Sequence, residues 1–498
     1  MSTPRRMGLG ELADVIGPDR VVGVPIGEVA SLAYDSRQAT PGCLFFAVPG
    51  DHVDGHAFVA DAVTHGAVAV VAERETPELA VPQLLVARSR DALADAADAW
   101  YGRPSERLKV IGVTGTDGKT TTSYLAVAAL QAGGRRPGMI GTVAVRVGDR
   151  QLPNEDRNTT PEALELQALL AEMVEAGNDS VVMEATSHGL AQSRVRNCRF
   201  RVAIVTNVTS EHLEFHGTLE AYRAAKALLV EEAPLAILNR DDPAFGYFRD
   251  RARDRVLTYG TDPAAEVRAT DIQARAHGTT FTATTPRWSG EVHLRLPGAF
   301  NVHNALAALA LAEVEGIDPA AAAHALGEVS GVPGRMERID AGQPFGVVVD
   351  YAHTAESLEK VLRTLRPLTI GRLIVVFGSG GERDRVKRPA MGRIAAELAD
   401  IQIVADEDPR LEDPRSINEA IADGARAAGA SDGESLWVID DRRAAVAQAI
   451  GLAKAGDMLL LAGKGHEGSI IYGTQKAWWD EREVARQELA AAGFKADA

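Results

Sequence analysis

Cysteine is almost missing from this chain: Cys43 and Cys198 are its only two in 498 residues. They are far apart and outside any C-x-x-C spacing, which excludes a disulfide framework and a cysteine-rich metal site and fits a reducing compartment. Both thiols read as inert core residues. An excess of cations is missing too. Lys and Arg number 53 against 69 Asp and Glu, a net charge of -16, the wrong sign for holding nucleic acid by its phosphates. Long apolar runs are also lacking. Stretches such as Leu373–Phe377 fall far below the ~18 residues needed to span a bilayer, and the opening MSTPRRMGLGELADVIG has charge but no apolar signal core. A cytoplasmic protein is expected, with no nucleic-acid partner and no membrane insertion. No repeat of about 20 to 50 residues and no low-complexity tract stands out, which argues against a solenoid.

What is present is a globular composition, 46% hydrophobic and 24% charged, in a chain long enough for about three domains at ~150 residues each. The pattern breaks at Tyr101-Gly-Arg-Pro-Ser-Glu-Arg107 and at Gly331-Val-Pro-Gly334, which places domains at 1–103, 104–333 and 334–498. The first mixes β-type runs (Leu44–Val48, Val68–Val71) with Ala-rich helical pattern, as in a small α/β domain. The second opens on the apolar strand Lys109–Val113, then repeats strand and helix through Ser180–Met183 and Val202–Val205. The third alternates Val347–Val349, Leu373–Phe377, Ile401–Val404, Leu436–Ile439 and Met458–Leu461 with helical segments. Such alternation predicts mostly parallel sheets, with sites at the carboxyl ends of the strands.

The strongest chemical signal is Thr114-Gly115-Thr116-Asp117-Gly118-Lys119-Thr120-Thr121-Thr122, between a strand and a helix. Glycines let backbone N–H groups turn toward an anion, and a helix N-terminus favours negative charge. Lys119 reaches terminal phosphates, and Thr120 offers a hydroxyl to Mg²⁺. The strict G-x-x-x-x-G-K-[ST] pattern fails at Val113, yet the strand and helix context predicts a nucleotide site.

Lys226 lies on the apolar stripe of a helix with Leu219, Tyr222, Leu229 and Val230. Two readings stand: it snorkels to solvent, or it is a desolvated amine that reacts with CO₂ to give a carbamate able to ligate Mg²⁺. Glu184 and His212 follow neighbouring strands beside the phosphate loop, where hard oxygen and imidazole suit Mg²⁺. Separately, Glu184 could cap a helix and His212 could be a loop histidine. Farther on, Arg335 precedes the strand Val347–Val349, which runs into Asp350; an acid at a strand end suits a ribose hydroxyl, and an arginine suits a phosphate. The run Gly378-Ser-Gly-Gly-Glu-Arg383-Asp384-Arg385-Val-Lys387-Arg388 reads as a local anion site in preference to a solvated charge run.

As an ordered set these segments resemble the Mur ligases of peptidoglycan synthesis, most closely the MurE type, the UDP-N-acetylmuramoyl-L-alanyl-D-glutamate amino-acid ligases. The resemblance covers nearly the whole chain. Asp35-Ser36-Arg37, Pro41–Gly50 and Asp54-Gly-His56 are similar to the family's UDP-binding domain, and Thr114–Thr121 to its ATP loop. Asn158-Thr-Thr-Pro161 and Ala185–Gln192 resemble its muramoyl-dipeptide contacts. Glu211–Gly217, running into Tyr222 and Lys226, resembles its His and carbamylated-lysine element. Leu296–Asn304, Asp350–Thr354 and Gly463–Glu467 resemble its later motifs.

The resemblance implies ATP-dependent amide formation in cell-wall biogenesis. The D-Glu γ-carboxylate takes the γ-phosphoryl group, and the amine of a diamino acid then displaces phosphate. It implies an ATP site of Gly115, Thr116, Asp117, Gly118, Lys119, Thr120, Thr121, Asn301, Arg335 and Asp350, and catalysis by Lys119, Glu184, His212 and Lys226. Mg²⁺ would be held by Thr120, Glu184, His212 and Lys226 as carbamate. It implies precursor contacts at Tyr34, Ser36, Thr159, Thr160, Thr186, Ser187, Gln192 and Arg194. Amino-acid contacts would be Arg383, Glu407, Asp408, Pro409, Arg410, Gly463 and Glu467. The fold implied is a small α/β UDP-binding domain, a central P-loop-type domain with a mostly parallel sheet, and a C-terminal Rossmann-like domain, acting as a monomer.

Several positions depart from the family pattern. Asp117 stands where Asn is expected and adds negative charge near phosphates, and Glu211, Glu214 and Ala355 replace Asp, Asp and Pro. The motif Glu407-Asp408-Pro409-Arg410 replaces Asp-Asn-Pro-Arg. Arg410 with Arg383 suits the distal carboxylate of meso-diaminopimelate. The charge at Asp408 suits the bare ammonium of L-lysine or L-ornithine, unless Asp408 merely pairs Arg410. The third amino acid therefore stays open. The alternatives are another amide ligase of the superfamily, adding D-Ala-D-Ala or glutamate to folate, and a P-loop ATPase regulator that makes no bond.

Overall fold

The computed structural model describes residues 5–50, 53–154, 158–209, 213–275, 278–382 and 384–494. The chain divides into two compact units, Met1–Tyr259 and Gly260–Ala498. No helix among the described residues is long and apolar enough to cross a membrane.

The first unit begins with a five-stranded sheet ordered Arg20–Val22, Gln83–Leu85, Ala69–Ala72, Cys43–Phe46, Ser31–Ala33. It is parallel apart from its first strand. Phe45, Phe46, Val70 and Val71 are fully buried, as expected of strands covered on both faces. The helix Ser89–Trp100 packs against the helix Ala163–Glu175 of the larger sheet. Polar ties cross this junction: Arg90 pairs with Glu162 at 3.0 Å, which also holds Arg194 at 3.0 Å, and Arg196 bonds Asp95 at 2.8 Å.

The larger sheet places Lys109–Thr114 between Ser180–Glu184 and Phe200–Val205. Pro137–Ile140 lies beyond the first, and Leu235–Asn239 and Arg255–Gly260 beyond the second, all parallel. Val110, Ile111 and Val113 have no exposed surface. The ends of three adjacent strands thus meet at one edge, with Glu184 opposite Val113 and Val205 opposite Thr114. An antiparallel hairpin, Ala144–Val147 with Arg150–Pro153, adds an edge that the strand and helix alternation did not foretell.

The second unit opens with the antiparallel strands Val267–Arg275, Gly278–Thr285 and Trp288–Leu294, followed by helices Phe300–Val314 and Pro319–Glu328. A six-stranded sheet follows, ordered Glu337–Arg338, Gly346–Asp350, Met458–Ala462, Leu373–Phe377, Ile401–Val404, Leu436–Val438. The five strands predicted for this region are present and parallel; the short first strand runs antiparallel. Alternating side chains feed two cores, one on each face: Val348, Val375 and Leu460 on one, Val347, Ile374 and Leu459 on the other.

Candidate active site

In the first unit the loop after Lys109–Thr114 turns at Gly115 (φ 148) and Gly118 (φ 82), left-handed backbone that glycine adopts without strain. Space matters as much: a Cβ on Gly115 would stand 1.8 Å from Thr206 Oγ1. Gly118 caps the helix Lys119–Ala132, whose first turn carries Lys119, Thr120 and Thr121. Its N–H groups and dipole face the loop. The end of the neighbouring strand clamps this loop. Thr206 Oγ1 donates to the Asp117 carbonyl at 2.6 Å, Asn207 Oδ1 accepts from Asp117 N at 3.0 Å, and Thr116 N donates to the Asn207 carbonyl at 2.7 Å. Sequence reasoning missed Thr206 and Asn207; their position directly after a strand beside the loop strand was the available signal.

Two ammonium groups converge on one oxygen. Lys119 Nζ donates to the Gly115 carbonyl at 2.9 Å and to the Thr116 carbonyl at 2.7 Å, while Lys226 Nζ donates to the same Gly115 oxygen at 2.8 Å. Lys226 is only 1% exposed and lies 4.4 Å from the Tyr222 ring centroid. The snorkelling reading is therefore corrected: this lysine is turned inward, held by the Gly115 carbonyl and the face of the Tyr222 ring. Tyr222 Oη also meets Thr116 Oγ1 at 3.1 Å, so the helix Leu219–Glu232 braces the phosphate loop through two side chains.

Glu184, the last residue of Ser180–Glu184, is 1% exposed. It caps no helix. Its Oε1 accepts from Thr142 N at 3.0 Å, and its Oε2 accepts from the Thr142 hydroxyl at 2.8 Å and the Thr120 hydroxyl at 3.1 Å. Sequence reasoning missed Thr142. A buried carboxylate sharing hydroxyls with the phosphate-loop threonine is a hard-oxygen donor set of the kind Mg²⁺ favours. Among the described residues no three His, Cys, Asp or Glu gather at one point; His212 lies outside the described residues.

Several predicted precursor contacts in this block are linked to Glu184 through Thr142 or its main chain. Thr159 Oγ1 meets Thr142 Oγ1 at 2.9 Å, Thr160 Oγ1 donates to the Glu184 carbonyl at 2.8 Å, and Thr160 meets Thr186 Oγ1 at 3.0 Å. Thr186 caps the short helix opened by Ser187. Arg194 donates to the Thr160 carbonyl at 2.9 Å and to Gln192 Oε1 at 2.7 Å. Ser36 sits in a turn capped by Asp35, in the N-terminal sheet region. Tyr34 lies nearby, its hydroxyl donating to Glu165 at 2.9 Å; burial first, and then the Glu165 charge, push that phenol well above its ordinary pKa.

In the second unit Asp350 ends its strand. Its Oδ2 accepts from Met336 N at 2.7 Å and its Oδ1 from Ala352 N at 2.8 Å, which fixes the backbone beside Arg335. The Arg335 guanidinium lies 4.7 Å from the Tyr351 ring centroid, a cation–π placement. Asn301, near the start of Phe300–Val314, donates to the Pro297 carbonyl at 2.7 Å and accepts from Asn304 at 2.9 Å.

Beyond Ile401–Val404 and Met458–Ala462 lie the two loops with the predicted amino-acid contacts. Asp408 does not pair with Arg410. Its Oδ1 accepts from Lys464 Nζ at 2.9 Å and from Ile471 N at 2.9 Å. Lys464, with no exposed surface, also holds Glu467. Lys464 was missed as a site residue, although it stands inside the Gly463–Glu467 motif. Glu407 is 8% exposed, and a Cβ on Gly463 would stand 2.9 Å from its Oε2. That oxygen and Arg410 Nε are buried and have no hydrogen-bond partner among the described residues. Pro409 packs on the glycine loop, its carbonyl oxygen 1.9 Å from where a Cβ on Gly381 would stand.

The charge run after Leu373–Phe377 is mostly spent internally. Arg385 and Arg388 both pair with Glu412, and Lys387 donates to the His353 carbonyl. Hydrogen bonding from Arg388 holds the Glu412 carboxyl below its ordinary range. Glu412, distant in sequence, thus takes up two cations of the run that reads as an anion site, and Arg383 lies outside the described residues. An open, largely apolar cleft of about 310 Å³, lined by Met336, Phe345, Leu365 and Met458, touches the amino ends of these strands, away from this chemistry.

A glycine loop at a helix start, a buried carboxylate on its threonine and two inward lysines define an α/β phosphate-loop enzyme. Comparison with known proteins gives the particular lineage. Residues 28–101 match the Mur ligase family catalytic domain, 113–312 the Mur ligase middle domain and 334–465 the Mur ligase glutamate ligase domain. The chain is 49% identical over 486 residues to a UDP-N-acetylmuramyl-tripeptide synthetase of Roseiflexus sp. (strain RS-1), covering 94% of this chain and 96% of that one. It is 45% identical over 469 residues to a UDP-N-acetylmuramoyl-L-alanyl-D-glutamate--2,6-diaminopimelate ligase of Geobacillus thermodenitrificans (strain NG80-2), covering 92% and 94%. A solved structure of a ligase with that same activity aligns at TM-score 0.67 and 31% identity, covering 98% of this chain and 100% of the other. The chain belongs to the Mur ligase family.

Proposed function

We propose that this chain is the ATP-dependent ligase that joins a diamino acid to the D-Glu γ-carboxylate of UDP-N-acetylmuramoyl-L-Ala-D-Glu, acting as a cytoplasmic monomer in peptidoglycan synthesis. The observation that carries the reading is the joining of Glu184, Thr120 and Thr142 at the phosphate loop with the threonine cluster Thr159, Thr160 and Thr186. A phosphoryl donor and a carboxylate acceptor both need such groups around one point. The three blocks 1–103, 104–333 and 334–498 are assigned to the uridine end, to ATP and to the incoming amino acid.

In this scheme Gly115–Thr121 and Lys119 hold the ATP phosphates, and Asn301, Arg335 and Asp350 serve the nucleoside end. Tyr34, Ser36, Ser187, Gln192 and Arg194 complete the precursor contacts. Glu184 and the Thr120 hydroxyl, with His212 and Lys226 as carbamate, would hold Mg²⁺, which when bound offsets charge on the transferred phosphoryl group. Carbamylation also relieves the crowding of two ammonium groups on the Gly115 carbonyl, since it replaces one cation by an anion. The precursor carboxylate attacks the γ-phosphate, giving an acyl phosphate and ADP; the amine then attacks the acyl carbon and phosphate leaves.

For the third amino acid, two observations favour meso-diaminopimelate. Asp408 is paired with Lys464, which it shares with Glu467, and the buried Arg410 Nε has no hydrogen-bond partner among the described residues, leaving that guanidinium for a distal carboxylate. The test is phosphate release with ATP, Mg²⁺ and the muramoyl dipeptide, comparing meso-diaminopimelate, L-lysine and L-ornithine, with the product weighed. Release that requires one diamino acid, and a product heavier by its residue, is the expected outcome. Release independent of any amino acid returns the reading to a P-loop ATPase.

A further inference from the structure

Arg442 is the first residue of the helix Arg442–Leu452, a position where a cation is normally solvated. Instead it ranks among the largest fully buried side chains in the molecule, and its ion-pair partner Glu481 is equally enclosed, with 0% side-chain exposure on both. Its Nε donates to Glu481 Oε2 at 2.9 Å and its Nη2 to Oε1 at 2.8 Å, while Trp479 Nε1 donates to Glu481 Oε2 at 2.6 Å. The rest of the fork reaches two main-chain oxygens: Nη2 donates to the Ala462 carbonyl at 2.6 Å and Nη1 to the Asp406 carbonyl at 3.2 Å.

Those two carbonyls sit at the roots of different loops. Asp406 immediately precedes Glu407-Asp408-Pro409-Arg410, and Ala462 immediately precedes Gly463-Lys464-Gly465-His466-Glu467. The strands they follow are not neighbours in the sheet, because Leu373–Phe377 runs between them. One guanidinium therefore spans an intervening strand to tie the loop roots, and the Lys464 to Asp408 bond ties the same loops farther out. A buried ion pair adds little net stability over an apolar pair of equal volume. What an apolar pair cannot supply is the two-carbonyl anchor, and lysine, a single point donor, cannot reproduce the planar fork.

We propose that Arg442 is a positioning residue that sets the spacing of these two loops and through it the affinity for the incoming diamino acid. The inference rests on the assignment of those loops to the amino acid. Arg442 touches no substrate in this scheme, and Glu481 with Trp479 holds its fork in plane.

The test compares the full-length enzyme with R442K and with the double variant R442M/E481L, which removes both charges and keeps the core filled. Expected for the double variant is a folded protein whose KM for the preferred diamino acid rises about tenfold or more. Its KM for ATP and for the muramoyl dipeptide should stay within about twofold, and amide exchange should speed up at 406–410 and 463–467 alone. R442K should fall between the two, and it carries the test should the double variant not fold. An unchanged diamino-acid KM, an equal rise in all three KM values, or unchanged exchange in both loops overturns the proposal. Should the wild-type enzyme accept no diamino acid, the assignment of the loops fails, and the exchange comparison still decides whether Arg442 orders them.

Discussion

Lys226 Nζ lies 2.8 Å from the Gly115 carbonyl oxygen, which Lys119 Nζ also contacts at 2.9 Å. Two buried or half-buried amines on one acceptor repel each other when both are charged. Conversion of Lys226 to a carbamate reverses its sign and creates oxygen donors. In buffer carrying ¹³C-bicarbonate, the enzyme should show one carbamate carbon resonance that is absent in K226M, and K226M should lose activity by about 100-fold or more, the scale of a removed electrostatic stabiliser. A wild-type spectrum without the resonance counts against the carbamate.

Glu184 accepts three hydrogen bonds in a closed setting. Glu184→Gln keeps the shape and removes the charge, and the new amide N–H faces hydroxyls that now donate. We expect kcat to fall about 100- to 1,000-fold and the Mg²⁺ concentration for half-maximal rate to rise. A normal Mg²⁺ dependence would show that this carboxylate serves the fold alone.

Asp408 and Arg410 are separable because only Asp408 has a partner in Lys464. Arg410→Ala should raise the KM for meso-diaminopimelate by tenfold or more, since hydrogen bonds to charged groups are worth about 1.5–3 kcal/mol, and leave that for ATP unchanged. Asp408→Asn frees Lys464 toward Glu467, and its effect on the ranking of the three diamino acids should be smaller than that of Arg410→Ala. Steady-state kinetics with each amino acid measures both.

Asp457 is buried and accepts from Arg372 N at 2.7 Å, Arg372 Nη2 at 2.7 Å and Lys454 N at 2.9 Å. Burial pushes its carboxyl up, but the Arg372 and backbone hydrogen bonds prevail and hold it below the ordinary aspartate range. A carboxyl depressed in the folded state stabilises above its unfolded pKa, about 4, and that stability is lost as pH falls through the folded value. The Tm gap between wild type and Asp457→Asn should be widest near neutral pH and narrow below about pH 4. A gap that does not change with pH would mean that the ionised form gains nothing from these contacts.

Local chemistry made much of this readable from sequence. The phosphate loop is contiguous, so its glycines, Lys119 and Thr120 declare themselves, and five buried parallel strands of the last block are plain apolar runs. The antiparallel strands that open the second unit were hidden because Gly278–Thr285 carries threonine on both faces, Thr279 and Thr285 on the buried one and Thr280, Thr282 and Thr284 on the other, so an apolar count finds no clear period. Lys464 and Arg442 were hidden for another reason. Lys464 has Glu467 close by, as a solvated lysine could, and what marks each as buried is a distant partner, Asp408 or Glu481, 56 and 39 residues away. Thr142 likewise owes its importance to Glu184, which reaches it only once the sheet is assembled.

The missing Cβ at Gly115 bears on inhibitor resistance. With Thr206 Oγ1 1.8 Å from where any side chain would begin, a single substitution there must displace a strand end that also clamps Asp117. A compound that draws its affinity from the main-chain N–H groups at the start of the helix Lys119–Ala132 would address atoms that point mutation cannot delete, and a side chain added at Gly115 to shield them would disturb Thr206. A side-chain contact offers no such protection, because one codon change removes it.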